Sequence, residues 1–356
     1  MSVADPQPIT FDQAIADTAG RTRHLLLGNG FSISARKSFS YSSLASEARP
    51  RFSPAVETLF RDTDDFEQVL ALLRERLANG QVSPELHNTL RQQEDEVRTA
   101  FIDVLQRVHP EHSLKMNDDE KERCATFLEH FVGRARGPKL AGRVYTTTYD
   151  LLLYWVVAKF GRRLWCYDSH FNPDPYTAKP YGLWSKEKVP ELLYLHGALH
   201  LYDIPPEGQG MLRYSGKHNL IEQARKRLAR GSFPVIVSEG TTDAKATRIA
   251  RSAYLTWASE IFRRGLGNRQ AVLFTYGHSL DKRDAHLIRK IGTGRISAVY
   301  IGAWGGLAGH QAETIRFWTR SWQEARPSTE PLAVYAYDSS LVSPWLYPLK
   351  REQISA

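Results

Sequence analysis

Cysteine is nearly absent from this 356-residue chain; only Cys124 and Cys166 occur. Two thiols cannot build a zinc site that needs four thiolates. Nor do they make a disulfide framework, so a reducing, cytoplasmic setting is expected. Long apolar runs are missing too: none reaches the ~20 residues that cross a bilayer. No basic stretch followed by an apolar one opens the sequence at Met1–Pro8, so no signal peptide is expected. Spacing reveals no metal-ligand cluster, no internal repeat and no low-complexity segment. A strong charge imbalance is lacking as well. Lys and Arg number 47 against 39 Asp and Glu, a formal net charge of +8. That suits a polyanionic ligand, and it is also ordinary for a soluble protein of this length. What the chain does have is apolar material, 42% of residues. This is enough for one large α/β domain with an insertion, or for two domains.

The apolar residues change period along the chain. Residues 9–20 read as a short helix capped by Thr10 and ended by Gly20. Leu25–Leu27 is a continuous apolar run, the signature of a strand covered on both faces, and Gly28-Asn29-Gly30 then turns it sharply. Ile33–Leu44, polar and aromatic, is expected to be a loop covering a ligand or lying on the surface. Between 51 and 138 the period becomes helical, with Val69, Leu70, Leu72, Leu73 and Leu77, then Val97, Phe101, Val104, Leu105 and Val108. Three or four helices are expected there, with Asp64-Asp65 and Asp118-Asp119-Glu120 capping them. Strands return at 143–150, 192–197, 233–238, 271–279, 298–302 and 332–337. A helix follows the first of these from Leu151, a single helix spans 245–264, and another lies near 284–291. The stretch 166–190 is loop-like. Strands alternating with helices indicate a Rossmann-like, doubly wound parallel sheet with a helical insertion. The domain reading is 1–50 and 139–345 for the sheet domain, 51–138 for the insertion and 346–356 for a tail.

Four strands end alike, in small or polar residues: Gly28–Ser32, Thr146–Asp150, His196-Gly197 and Gly277–Ser279. In open parallel sheets ligands bind just beyond the carboxyl ends of the strands, so four such endings form a candidate pocket. The glycine turn lacks the third glycine of the full dinucleotide fingerprint. Each ending also has a plainer reading: Asp150 as a helix cap, His196 as a core histidine, Ser279 as a cap.

The order of Leu-Gly-Asn-Gly-Phe-Ser, Tyr-Asp-Leu-Leu-Leu-Tyr-Trp, Leu-His-Gly-Ala-Leu, Val-Ser-Glu-Gly and Gly-His-Ser-Leu resembles the sirtuin-like NAD-processing proteins. It looks closest to a bacterial branch associated with anti-phage defence, which includes a group known only as a domain of unknown function. The resemblance covers residues 22–305. It implies NAD as substrate, no metal, and cleavage to nicotinamide and ADP-ribose. By similarity Gly28, Asn29, Gly30, Phe31 and Ser32 lie against the pyrophosphate and its ribose. Thr147, Thr148, Tyr149 and Asp150 sit near the nicotinamide end, and His196 is the base or polar partner of that ribose. Gly277, His278 and Ser279 contact the adenosine half, with Asp284 closing the pocket. The same likeness implies control by homo-oligomer assembly or by a defence-system partner. One position departs from the family: its strand end reads Thr-x-Asn-x-Asp, and here the asparagine is Thr148. A hydroxyl cannot offer an amide's separate donor and acceptor. An NAD- or ADP-ribose-binding subunit without turnover is therefore the competing expectation. A nucleic-acid partner rests only on net charge and on Arg225-Lys226-Arg227-Leu228-Ala229-Arg230, which a solvated helix face explains more cheaply.

Overall fold

The computed structural model describes residues 5–349 apart from 79–82, 111–114, 135–139, 165, 167–170, 173–180, 185–190, 205–207, 213–219, 231, 238–240 and 328. In chain order the first elements are β1 (Gln7–Pro8), α1 (Phe11–Asp17), β2 (Thr22–Leu27), α2 (Asn29–Ala35) and α3 (Tyr41–Ala48). Four helices follow, α4 (Pro54–Leu59), α5 (Phe66–Ala78), α6 (Pro84–Val108) and α7 (Asp118–Val132). Next come β3 (Val144–Thr146), α8 (Leu152–Leu164), β4 (Phe171–Asn172), β5 (Tyr181–Trp184), β6 (Leu192–Tyr194), β7 (Gly197–Ile204) and β8 (Gly208–Leu212). The rest are α9 (Leu220–Leu228), β9 (Pro234–Ile236), α10 (Thr242–Ala250), α11 (Ala253–Gly265), β10 (Ala271–Tyr276), α12 (Ala285–Thr293), β11 (Ala298–Ala303), α13 (Ala312–Glu324) and β12 (Ala333–Asp338).

Seven strands form a wholly parallel sheet in the order β1-β12-β11-β10-β2-β3-β6, a Rossmann-like architecture with helices on its faces. Its centre follows from the leucine run. Leu25, Leu26 and Leu27 are each 0% exposed and register with Phe274–Tyr276 on one side and Val144–Thr146 on the other. Burying such side chains contributes about 1.5–3 kcal/mol each, and a strand flanked by strands and covered on both faces needs no polar alternation.

α4 to α7 occupy the chain between β2 and β3. Their apolar stripes meet the sheet domain through Phe66, Phe101 and Tyr149, whose rings pack in sequence at 5.1 and 5.8 Å. Asp65 caps α5 by accepting from the amides of Glu67 and Gln68. Asp118, Asp119 and Glu120 fill the first turn of α7, while Asn117 is its cap. Thr10 caps α1 through a reciprocal pair with Gln13.

Several expectations are corrected. Residues 33–44 are not a loop: α2, a 3₁₀ turn and α3 run through them, because Ser40 accepts from the amide of Ser43 and starts α3. The helix expected at 245–264 is two, since Ser252 accepts from Leu255 N and begins α11 anew. The strand at 233–238 is not in the parallel sheet. β9 joins a second, antiparallel sheet of order β4-β5-β8-β7-β9, which the sequence reading did not foresee. Within 166–190, β4 and β5 are strands, and most of that stretch lies outside the described residues, as does the Ser238-Glu239-Gly240 part of the Val-Ser-Glu-Gly motif. Among the described residues no helix is long and apolar enough to cross a membrane.

Candidate functional site

A cavity of about 820 Å³ opens where β2, β3, β10 and β11 end and where β6 turns into β7. Its floor is a crossing of two backbones. Gly28 N donates to Tyr276 O at 3.0 Å and Gly30 N to Gly277 O at 2.8 Å. A Cβ on Gly28 would stand 2.5 Å from His278 Cα, and one on Gly30 would stand 2.6 Å from Gly277 Cα. Gly277 itself has φ +65°, and a Cβ there would lie 2.4 Å from Phe31 N. Glycine is required at 28, 30 and 277 because the two turns touch without side chains between them.

The candidate residues divide. Gly28, Asn29, Gly30, Thr147, Thr148, Tyr149, Asp150, His196, Gly277, His278, Ser279 and Asp284 all line the cavity. Phe31 and Ser32 do not. The Phe31 ring is buried 4.8 Å from that of Trp345, whose indole N–H donates to Phe31 O at 2.9 Å. Ser32 is buried and donates its hydroxyl to Asp150 Oδ2. Asp150 Oδ1 accepts Leu152 N at 2.9 Å, so this carboxylate caps α8 and ties it to α2. Burial raises the Asp150 pKa, against the bonds from Ser32 and Leu152 that lower it. Asn29 Nδ2 donates to Phe39 O, pinning α2 to the next turn. Thr148 is 3% exposed, with its Oγ1 2.8 Å from Thr146 Oγ1. Ser279 accepts from Asp281 N and caps no helix.

Beside His196 lies a buried ionic cluster. Lys245 on α10 is 2% exposed, with Nζ 2.7 Å from Glu67 Oε2 and 2.7 Å from Asp284 Oδ1. Tyr41 and Tyr149 both place their hydroxyls 2.9 Å from Glu67 Oε1. Burial works against the Lys245 charge, but the two carboxylates outweigh it and hold the ammonium protonated. Burial likewise opposes the Asp284 charge, and the cationic and imidazole neighbours still hold it ionised. His196 Nε2 is 3.0 Å from His286 Nε2 and 4.0 Å from Asp284 Oδ1. Burial, more than Asp284 can offset, pushes the His196 pKa well below its ordinary value, and His286 goes down to about 4 for the same first reason. His278 Nδ1 accepts Leu280 N, so its proton is on Nε2, which faces Asp284 Oδ2 at 3.6 Å. Three neutral imidazoles thus surround an ion triad of net charge −1.

His196, His286 and Asp284 bring ligand atoms within 4.8 Å of one another, a donor set of the kind a divalent cation takes. Both Asp284 oxygens are engaged, one by Lys245 and one facing His278, so the ammonium already supplies the positive charge there. Sequence reasoning missed Glu67, Lys245 and His286, whereas Tyr41 belongs to the stretch expected to cover a ligand and lines the cavity. The available signal was a lone acid and a lone base on otherwise apolar helix faces, Glu67 beside Phe66, Val69 and Leu70, and Lys245 one turn from Ile249.

Fold and cavity together define a Rossmann-like α/β protein with a ligand-sized site beyond the carboxyl ends of its central parallel strands. The chain belongs to the family described as Domain of unknown function (DUF4917), whose model matches residues 25–345. Among solved structures it is similar to a Sir2 homolog–NAD complex, at 13% identity and a TM-score of 0.38, over 90% of this chain and 97% of that one. No curated protein matches the sequence.

Proposed function

We propose that the cavity binds NAD and hydrolyses the bond between nicotinamide and ribose, giving nicotinamide and ADP-ribose. The observation that carries this reading is the meeting of all four strand endings in one cavity that reaches from His196 past β6 to Trp304 past β11. Four strand spacings separate those ends, about 19 Å at ~4.8 Å each, a length suited to an extended, two-ended ligand. On this reading Gly28, Asn29 and Gly30 adjoin the pyrophosphate. Phe31 and Ser32 act from behind, fixing α2 and Asp150. Gly277 and Ser279 flank the adenosine half.

The nicotinamide leaves with the bond's electron pair, the ribose passes through an oxocarbenium-like state, and water adds to it while losing a proton. The leaving group is already good, so the protein's task is orientation and exclusion of bulk solvent. His196, neutral at physiological pH, can accept the proton, and ionised Asp284 at 4.0 Å steadies the imidazolium that results. By the sequence resemblance the chain acts as a defence effector, restrained until it assembles with its own copies or with a partner protein. Purified protein incubated with NAD should release nicotinamide, in at least one assembly state, and His196→Ala should lose that release. Absence of release in every assembly state would sink the hydrolase reading.

One observation favours a second reading, a nucleotide-binding subunit without turnover. The Thr148 hydroxyl is spent on Thr146, so nothing at that position presents an amide to the substrate. Calorimetric binding of NAD without nicotinamide release would select it.

A further inference from the structure

At the end of the cavity opposite His196, Trp304 is 62% exposed, although it lines the cavity and directly follows the buried strand β11. Among the described residues its indole has no hydrogen-bond or ring partner. The backbone that carries it is built to hold it there. Gly305 and Gly306 follow with φ +76° and +59°, and Gly305 N donates to Asp338 Oδ1 at 2.9 Å. Asp338 Oδ1 also accepts the amide and hydroxyl of Ser340, which locks the turn to the end of β12. A Cβ on Gly309 would come within 1.9 Å of Trp304 O, so the loop closes tightly behind the ring. Below the ring Gly302 lines the cavity without a side chain; a Cβ there would meet Tyr337 Oη at 2.6 Å. Leu346, 72% exposed, lines the same cavity. A large aromatic face held in water by a stiff turn, at the mouth of a cavity, is a stacking platform.

We infer that Trp304 stacks on the base of the bound nucleotide, making the β11–β12 end of the cavity the subsite for a planar purine. This rests on the NAD reading for the identity of the ligand and adds to it the residue that recognises the end of the ligand farthest from the reacting bond. The remote base then anchors the substrate, and His196 works about 19 Å away on a ribose already placed. Because the ring is exposed, its removal leaves the core intact.

The experiment is calorimetric titration of wild type, Trp304→Ala and Trp304→Phe with NAD, ADP-ribose, AMP and nicotinamide mononucleotide, beside the nicotinamide-release assay and gel filtration. A lost base–aromatic stack weakens binding roughly 5- to 150-fold. Trp304→Ala should show that loss for the three adenine-containing ligands. Nicotinamide mononucleotide, which lacks the purine, should change less than about twofold, and Trp304→Phe should retain most of the affinity. Equal losses for all four ligands, or an NAD affinity unchanged in Trp304→Ala, overturn the proposal. So does a changed oligomeric state with unchanged nucleotide affinity, which would assign the ring to an interface between copies. Binding without nicotinamide release sinks the hydrolase reading and leaves the subsite standing, whereas a wild type that binds no adenine nucleotide sinks both.

Discussion

Replacing Lys245 with methionine tests how tightly the ion triad beside His196 is paired. Methionine is close in length and apolar, so the change removes charge with little loss of packing. It strands two carboxylates, Glu67 and Asp284, that each lie 2.7 Å from the lost ammonium. Breaking a buried pair from one side costs about 3–5 kcal/mol. Unfolding entropy is about 2.1 cal/mol/K per residue, so 356 residues give about 0.75 kcal/mol/K, and the melting temperature should fall by about 4–7 °C. The pH dependence identifies the cause. Without the ammonium, two buried carboxylates are left without their opposite charge. Their penalty is then full at neutral pH and shrinks as they protonate. Scanning calorimetry of both proteins from pH 7.5 to pH 5 should therefore show the gap narrowing. Adding Glu67→Gln to Lys245→Met should recover part of the loss, because one stranded charge is gone. A gap under 1 °C at pH 7.5, or one that does not change with pH, would refute the reasoning.

Thr148→Asn should raise nicotinamide release above wild type; a variant that binds NAD yet stays inert removes the significance given to that position. Gly30→Ala drives a Cβ to 2.6 Å from Gly277 Cα, so it should lower thermal stability and abolish NAD binding together, both read on one preparation. Acid should destabilise the fold. Burial holds His109 at about 3 and His24 and His286 at about 4, all below the unfolded value near 6.5. Groups with depressed histidine pKa values stabilise above pH 6.5, and that stability is lost as pH falls from 6.5 toward 4, at up to about 3 kcal/mol for His286. Melting temperature against pH should drop through that window, and His286→Gln should flatten the drop.

The parallel sheet was legible because its central strands are covered on both faces and therefore read as unbroken apolar runs. Leu25–Leu27 and Ala271–Tyr276 announce themselves, and so do the helices of 51–138 through their 3.6-residue period. The antiparallel sheet was not legible. β8 is built from Gly208, Gln209 and Gly210 before Met211, and β4 has two residues, so neither offers alternation over enough length. Phe233–Ser238 has the apolar look of a core strand, and only pairing decides which sheet it joins. The strand-end motifs brought out the residues of the cavity floor and walls. They could not bring out Glu67, Lys245 or His286, which sit inside helices far apart in sequence. A lone charge on an apolar helix face is the one local signal, and it does not say which charges will meet. The resemblance sets Phe31 and Ser32 against the ligand, whereas the helical twist of α2 turns both side chains into the core.

The backbone crossing at the cavity floor sets an order of events during synthesis. Gly30 and Gly277 are 247 positions apart, and the amide of the first finds its acceptor only on the second. Closing a loop of that length is slow and entropically costly, and it waits until β10 has left the ribosome. A nascent chain can fold its α4–α7 helices long before this point and still have no floor on which a nucleotide could rest. Whatever chemistry the finished cavity performs is withheld from every incomplete copy.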